Sequence, residues 1–119
     1  EMQKNGCFYD CFALSLLRRL RFDKCFITSA CVSPEFGLSV QKSRSVELTN
    51  TVIENSKTVF GLYPVEKIGF DSIISICPAS KLSCIITDSE TSEDDLAKFE
   101  ELGVSVKIAD QLYQENKTI

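Results

Sequence analysis

Histidine is absent from all 119 residues. That removes the mixed Cys/His zinc patterns, and the six cysteines do not replace them. Three residues separate Cys7 from Cys11, five separate Cys25 from Cys31 and six separate Cys77 from Cys84, so no C-x-x-C pair occurs. The spacings fit neither a zinc site nor a disulfide framework, and no metal or cofactor is expected. Basic charge is in deficit: 13 Lys and Arg stand against 17 Asp and Glu, the net charge is −4 and the pI is about 4.8. A module that grips DNA phosphates carries the opposite sign on one face, so this chain is not expected to bind DNA by itself. Long apolar runs are also lacking. Stretches such as Cys84-Ile85-Ile86 fall far short of the ~20 residues that a membrane helix needs, so no membrane partner is expected. No basic stretch followed by an apolar one opens the chain as a signal peptide would. G-x-G-x-x-G, G-x-x-x-x-G-K-[ST] and G-x-S-x-G do not occur, and neither do internal repeats or low-complexity runs.

What is present is an ordinary globular composition, with 44% apolar and 25% charged residues. The length suits one domain. The chain starts at Glu1, which reads as a fragment or a processed product. Cys25 and Cys84 lie in strand-like runs, where a reduced thiol packs as a small hydrophobe; the compartment is read as cytoplasmic. The sequon Asn116-Lys117-Thr118 is then without consequence. One basic cluster, Arg18-Arg19-x-Arg21 with Lys24 near, is read as the solvated end of a helix, where positive charge suits the dipole; a nucleic-acid patch is the alternative.

Residues 10–20 place Ala13, Leu14, Leu17 and Leu20 at helical spacing, with Asp10 at the start and arginines at the end. The run 24–28 reads as a strand, and 33–37 as a turn around Pro34 and Gly37. Residues 44–56 suggest a second helix and 58–63 a strand. Residues 72–77 are ambiguous between strand and loop; 82–87 is a strand. Ser92 caps a helix over 93–102 that ends at Gly103, and 104–109 is a last strand. The tail 110–119 is polar. Strands alternating with helices imply an α/β fold: a Rossmann-like, mostly parallel sheet with flanking helices. Ligands of such sheets sit outside the carboxyl ends of the strands. Lys67 follows one such end, after Phe60, Leu62, Tyr63 and the ladder-stopping Pro64. Ser29 to Val32 and Asp88 follow two others. A lysine there can grip an anion or can be a solvated turn residue.

Read together, 13-ALSLLRRLRFDKCFI-27, 33-SPEFGLS-39, 53-IENSKTVF-60, 67-KIG-69, 82-LSCIITD-88 and 94-DDLAKFEELGVSVKIA-109 resemble the C-terminal sensor domain of DeoR-family bacterial transcriptional repressors. The resemblance covers roughly residues 8–109. It implies a sensor domain over 1–109 and a tail over 110–119. It also implies a fold like that of ribose-5-phosphate isomerase, glucosamine-6-phosphate deaminase and the CoA transferases, entered partway. The implied partners are a small phosphorylated sugar effector, further copies of the chain, and DNA only through an N-terminal winged helix-turn-helix outside this sequence.

The same resemblance argues against an enzyme. The two aspartates of the isomerases fall on Ile27 and Ala30, the general-base glutamate on Thr49, and a functional lysine on Val40; only the lysine at Lys67 is retained. Aldose–ketose isomerisation needs a carboxylate to move a proton, and none of these residues can do so. A CoA transferase would need a nucleophilic glutamate, and no motif picks out Glu35, Glu47 or Glu54. The expected effector contacts are Lys67, Gly69, Ser29, Cys31, Arg44 and Asp88. For Gly69 a backbone turn is the competing role, for Asp88 a loop cap, for Arg44 a helix-start surface position. Around them the family pattern changes. Its small Gly-Ala-Asn-Gly stretch is Thr28-Ser29-Ala30-Cys31, its acidic pair is Arg44-Ser45, a basic residue is replaced at Thr49-Asn50, and Pro64-Val65-Glu66 precedes Lys67.

Overall fold

The structure, a computed structural model, describes residues 12–110. Asp10, Cys7, Cys11, the sequon and the tail beyond residue 110 lie outside that range. Residues 12–17 are helical (α1). Strand β1 (Phe22–Ile27) follows, then a hairpin of β2 (Cys31–Ser33) and β3 (Gly37–Val40). A 3-10 turn, Ser43–Ser45, leads into helix α2 (Val46–Glu54). Next come β4 (Ser56–Leu62), β5 (Ile74–Cys77), β6 (Cys84–Thr87), helix α3 (Glu93–Glu101) and β7 (Ser105–Ile108).

Two sheets result. The larger has strand order β1-β4-β6-β7 and is parallel throughout. The smaller is antiparallel, in order β2-β3-β5, and a parallel bridge joins its Val32 to Ile68. The sequence pattern misses this second sheet. Its first two strands are three and four residues long, too short to show a period, and they flank residues that read as a turn. The ambiguous stretch 72–77 becomes a strand because β3 pairs with it from Val40↔Ile74 to Leu38↔Cys77. Gly37 makes that approach possible. Its φ is +81°, and a Cβ there would stand 2.1 Å from the carbonyl oxygen of Cys77.

The parallel strands step across the sheet in one direction. Right-handed crossovers then put their connections on one face. Ile53 of α2, Phe99 of α3, and Val32, Leu38 and Ile76 of the small sheet accordingly share one core with Cys25, Val59 and Ile85 of the parallel strands. Phe99 and Ile85 are fully buried, each contributing roughly 1.5–3 kcal/mol by leaving water. The opposite face stays open: Phe26 is 60% exposed and Leu62 42%, and Phe26 stacks on Phe60 with ring centres 5.0 Å apart.

Helix α3 begins as its sequence requires. The Ser92 hydroxyl accepts from the Asp95 amide at 3.3 Å, and three acids occupy the first turn, where negative charge suits the dipole. It ends at Gly103, whose φ is +80° and whose amide donates to Glu100. Helix α2 stops at Asn55, whose side-chain amide donates to the Leu17 carbonyl and so ties α1 to the end of α2.

Candidate functional site

At the carboxyl ends of β1, β4 and β6 three loops meet: residues 28–30, 63–69 and 88–92. Tyr63, the first residue past β4, joins two of them. It is 2% exposed, and Gly61 clears its ring: a Cβ on Gly61 would lie 2.8 Å from the ring edge. Tyr63 Oη lies 2.7 Å from Ser29 Oγ, and Ser29 Oγ donates to the Cys31 carbonyl at 2.9 Å. A serine has one proton to donate, so Tyr63 is the donor of the pair and the relay runs Tyr63 to Ser29 to Cys31. Burial pushes the Tyr63 phenol up to about 12. The phenol is therefore neutral at ordinary pH and acts as a fixed donor.

The loop that carries Lys67 is held at four points. The Tyr63 amide donates to Ile86 at 3.1 Å, the Tyr63 hydroxyl reaches Ser29, the Val65 amide donates to Asp88 Oδ1 at 2.9 Å, and the Gly69 amide donates to Val32 at 2.8 Å. Between these anchors Val65–Lys67 forms a 3-10 turn. Lys67 is exposed, and no hydrogen bond or ion pair of its ammonium group occurs among the described residues. Asp88 thus staples the β4 loop to β6. The Val65 amide holds its carboxyl below the usual range, aided by Thr87 and Ser89. Gly69 has φ +90°, its amide is engaged by β2, and a Cβ would stand 2.5 Å from the Asp95 carboxylate.

Two hollows open at this edge. One, of about 310 Å³, is lined by Leu62, Tyr63, Pro64, Ile86, Thr87, Asp88 and Ala109. The other, of about 330 Å³, lies between α2 and the outer edge of β1, lined by Phe26, Ile27, Thr28, Leu48, Thr49 and Val52. The second gathers Ile27 and Thr49, two of the positions where a catalytic carboxylate would stand in the isomerases, and no carboxylate lines it. Asn50, the other residue at the replaced basic position, is occupied structurally: its side chain donates to the Ile76 carbonyl at 2.8 Å. Arg44 is exposed in the 3-10 turn before α2 and is not among the lining residues of either hollow.

Cys25, Cys31, Cys77 and Cys84 are free thiols. Burial pushes Cys77 up to about 11, which makes it a poor nucleophile. Among the described residues no group of three or more His, Cys, Asp or Glu could hold a metal ion, and no helix is long and apolar enough to cross a membrane. The structure brings Ser29, Cys31, Lys67 and Asp88 to one edge of the parallel sheet. It adds Tyr63, which the sequence pattern marks only as an apolar strand residue. The available signal was a tyrosine directly before a strand-ending proline, at the sheet edge where ligands bind.

Residues 2–89 match the family described as the DeoR C terminal sensor domain. The chain is also similar to the HTH-type transcriptional regulator GolR of Listeria innocua serovar 6a, with 27% identity over 96 residues. That alignment takes in 81% of this chain and spans 38% of the regulator's length.

Proposed function

Since the chain belongs to the DeoR C-terminal sensor domain family, we propose that it is the effector-sensing part of a transcriptional repressor, with residues 1–109 as the sensor and 110–119 as a tail. The effector is a phosphorylated sugar or a related metabolite, taken up at the carboxyl ends of β1, β4 and β6. In the longer protein it biases the arrangement of an N-terminal winged helix-turn-helix through its differential affinity for two states. The domain also holds subunits together, and it works in the cytoplasm, where the operator is.

The observation that carries this reading is the Lys67 loop: a cation without a partner among the described residues, on a turn anchored at four points, at the edge of a parallel sheet. A lysine alone offers charge and donors, which suits binding rather than proton transfer. The hollow between α2 and β1, without a carboxylate, supports a domain that binds without turnover. Ser29, Cys31, Gly69, Arg44 and Asp88 frame the site: Ser29 and Cys31 through the Tyr63 relay, Gly69 and Asp88 as anchors of the loop, and Arg44 as a second cation within the sequence that leads to α2.

A second reading has its own support. Glu66 stands beside Lys67, and Asp88 lines the adjacent hollow; both repel an anion. A domain that only assembles, its effector site lost, would tolerate them. A thermal-shift panel of free and phosphorylated sugars separates the two. A ligand at ~1,000 times its Kd adds about 4 kcal/mol, so a shift with one sugar phosphate that Lys67→Ala abolishes supports the sensor. A flat panel supports the assembly domain.

A further inference from the structure

The loop that carries Lys67 is set among carboxylates. Glu66 precedes Lys67 in the 3-10 turn, and Asp71, held by the Ser33 hydroxyl, follows Gly69 by two residues. Asp88 and Glu90 come from the loop after β6, and Asp95 from the first turn of α3, its carboxylate against Gly69. Two lysines stand at this edge. The Lys67 ammonium has no partner among the described residues. Lys107 of β7 is level with Ile86, outside the lining of the hollow beside Asp88. Lys98 of α3 is taken by Glu35 at 2.8 Å. Carboxylates therefore outnumber the lysines around the proposed site. A phosphate monoester brings nearly two further negative charges at neutral pH, so a ligand without a positive group meets repulsion as well as the grip of Lys67.

We propose that the effector carries an amine as well as its anion: a phosphorylated amino sugar, with its phosphate on Lys67 and its ammonium on Asp88. This rests on the sensor reading above and names the class of ligand for that same site. Three features select the amine. The first is distance. The Val65 amide donates to Asp88 Oδ1 at 2.9 Å, and Lys67 stands two residues further along the same 3-10 turn, a rise of roughly 4 Å. The two charges are therefore close enough for one sugar to meet both. The second is availability. The bonds from the Val65 amide and the Thr87 hydroxyl both reach Asp88 Oδ1, and Oδ2 takes neither. The third is shape. Asp88 is the one charged residue lining the hollow of about 310 Å³, whose walls include the apolar Leu62, Pro64, Ile86 and Ala109. A sugar ring lies over that apolar surface with its ammonium on the single acid. Glu66, on the turn itself, disfavours a ligand that brings only negative charge, so the acids supply specificity by repulsion as well as by attraction.

Matched sugar phosphates test it. The 6-phosphates of glucose, galactose and mannose, their 2-amino forms, and their 2-acetamido forms, whose nitrogen is uncharged, are titrated into the 119-residue chain at pH 7 by calorimetry. One amino form binds about fivefold tighter than its hydroxyl and acetamido counterparts, the upper range of an exposed charge pair. Asp88→Asn keeps a carbonyl oxygen for the Val65 amide and removes the charge. Shown folded by circular dichroism, it binds the amino and hydroxyl forms alike, whereas Lys67→Ala weakens both. A hydroxyl form that binds as tightly as its amino form overturns this inference and leaves the sensor reading standing. So does a preference for the amine that survives in Asp88→Asn. No binding by any member of the set overturns both.

Discussion

Replacing Tyr63 with phenylalanine tests how the strand ends are knit together. The substitution keeps the ring in the space that Gly61 clears and removes only the hydroxyl that reaches Ser29 at 2.7 Å. Ser29 still donates to Cys31, so no buried group is left wholly unpaired. The loss at pH 7 is then that of one ordinary hydrogen bond, about 1 kcal/mol. For a domain of this size it lowers Tm by roughly 4–8 °C. The pH dependence adds a sign. In the unfolded chain the phenol ionises near its ordinary value of 10.0, whereas in the fold it holds its proton up to about 12. Between those limits the unfolded state has released a proton that the native state retains, so stability falls as pH rises. Over two units the wild type loses on the order of 2–3 kcal/mol from this group alone. Phenylalanine cannot titrate, so the deficit of the variant shrinks above pH 10 and reverses before pH 12. Urea unfolding of both proteins from pH 7 to 11.5 reads this directly. A difference that stays constant across the range would refute the buried, proton-retaining role of Tyr63.

Two glycines with nearly equal φ should respond unequally to alanine. Gly37→Ala drives a Cβ to 2.1 Å from the Cys77 carbonyl, whereas Gly103→Ala meets nothing within 4 Å. Gly103→Ala therefore costs only the left-handed strain of about 1–2 kcal/mol, and Gly37→Ala costs clearly more, with loss of the β3–β5 pairing in chemical denaturation and amide exchange. Asp88→Ala removes the acceptor of the Val65 amide at 2.9 Å. The Asp88 carboxyl is held below its ordinary 3.8, so its stabilisation is present above that pH and fades as pH falls through the lower folded value. Exchange of the Val65 amide should be faster in Asp88→Ala than in wild type at neutral pH, and the two should converge under acid; equal rates at neutral pH would contradict the staple.

The local rules of helix and strand are written in the chain. Ser92 with Asp95, then Gly103 after the last apolar turn, places α3 within a residue of its observed bounds, because caps are made by neighbours in sequence. The apolar runs 58–63 and 82–87 mark two of the parallel strands, observed as Ser56–Leu62 and Cys84–Thr87, because strands buried in a sheet collect apolar residues. Lys67, Ser29 and Asp88 could be placed at strand ends for the same reason. The antiparallel sheet could not be seen: Gly37 lets β3 approach β5, some 39 residues on (Leu38↔Cys77), and no local pattern encodes a contact at that range. The chemistry of the site also waited for the fold. Asp88 is an anchor because Val65 lies against it, and Tyr63 is a buried donor because Ser29, 34 residues away, folds onto it. Sequence sets which residues can donate, accept or pack; only tertiary structure sets which of them meet, since hydrogen bonds and desolvation act over a few ångströms of space and not along the chain.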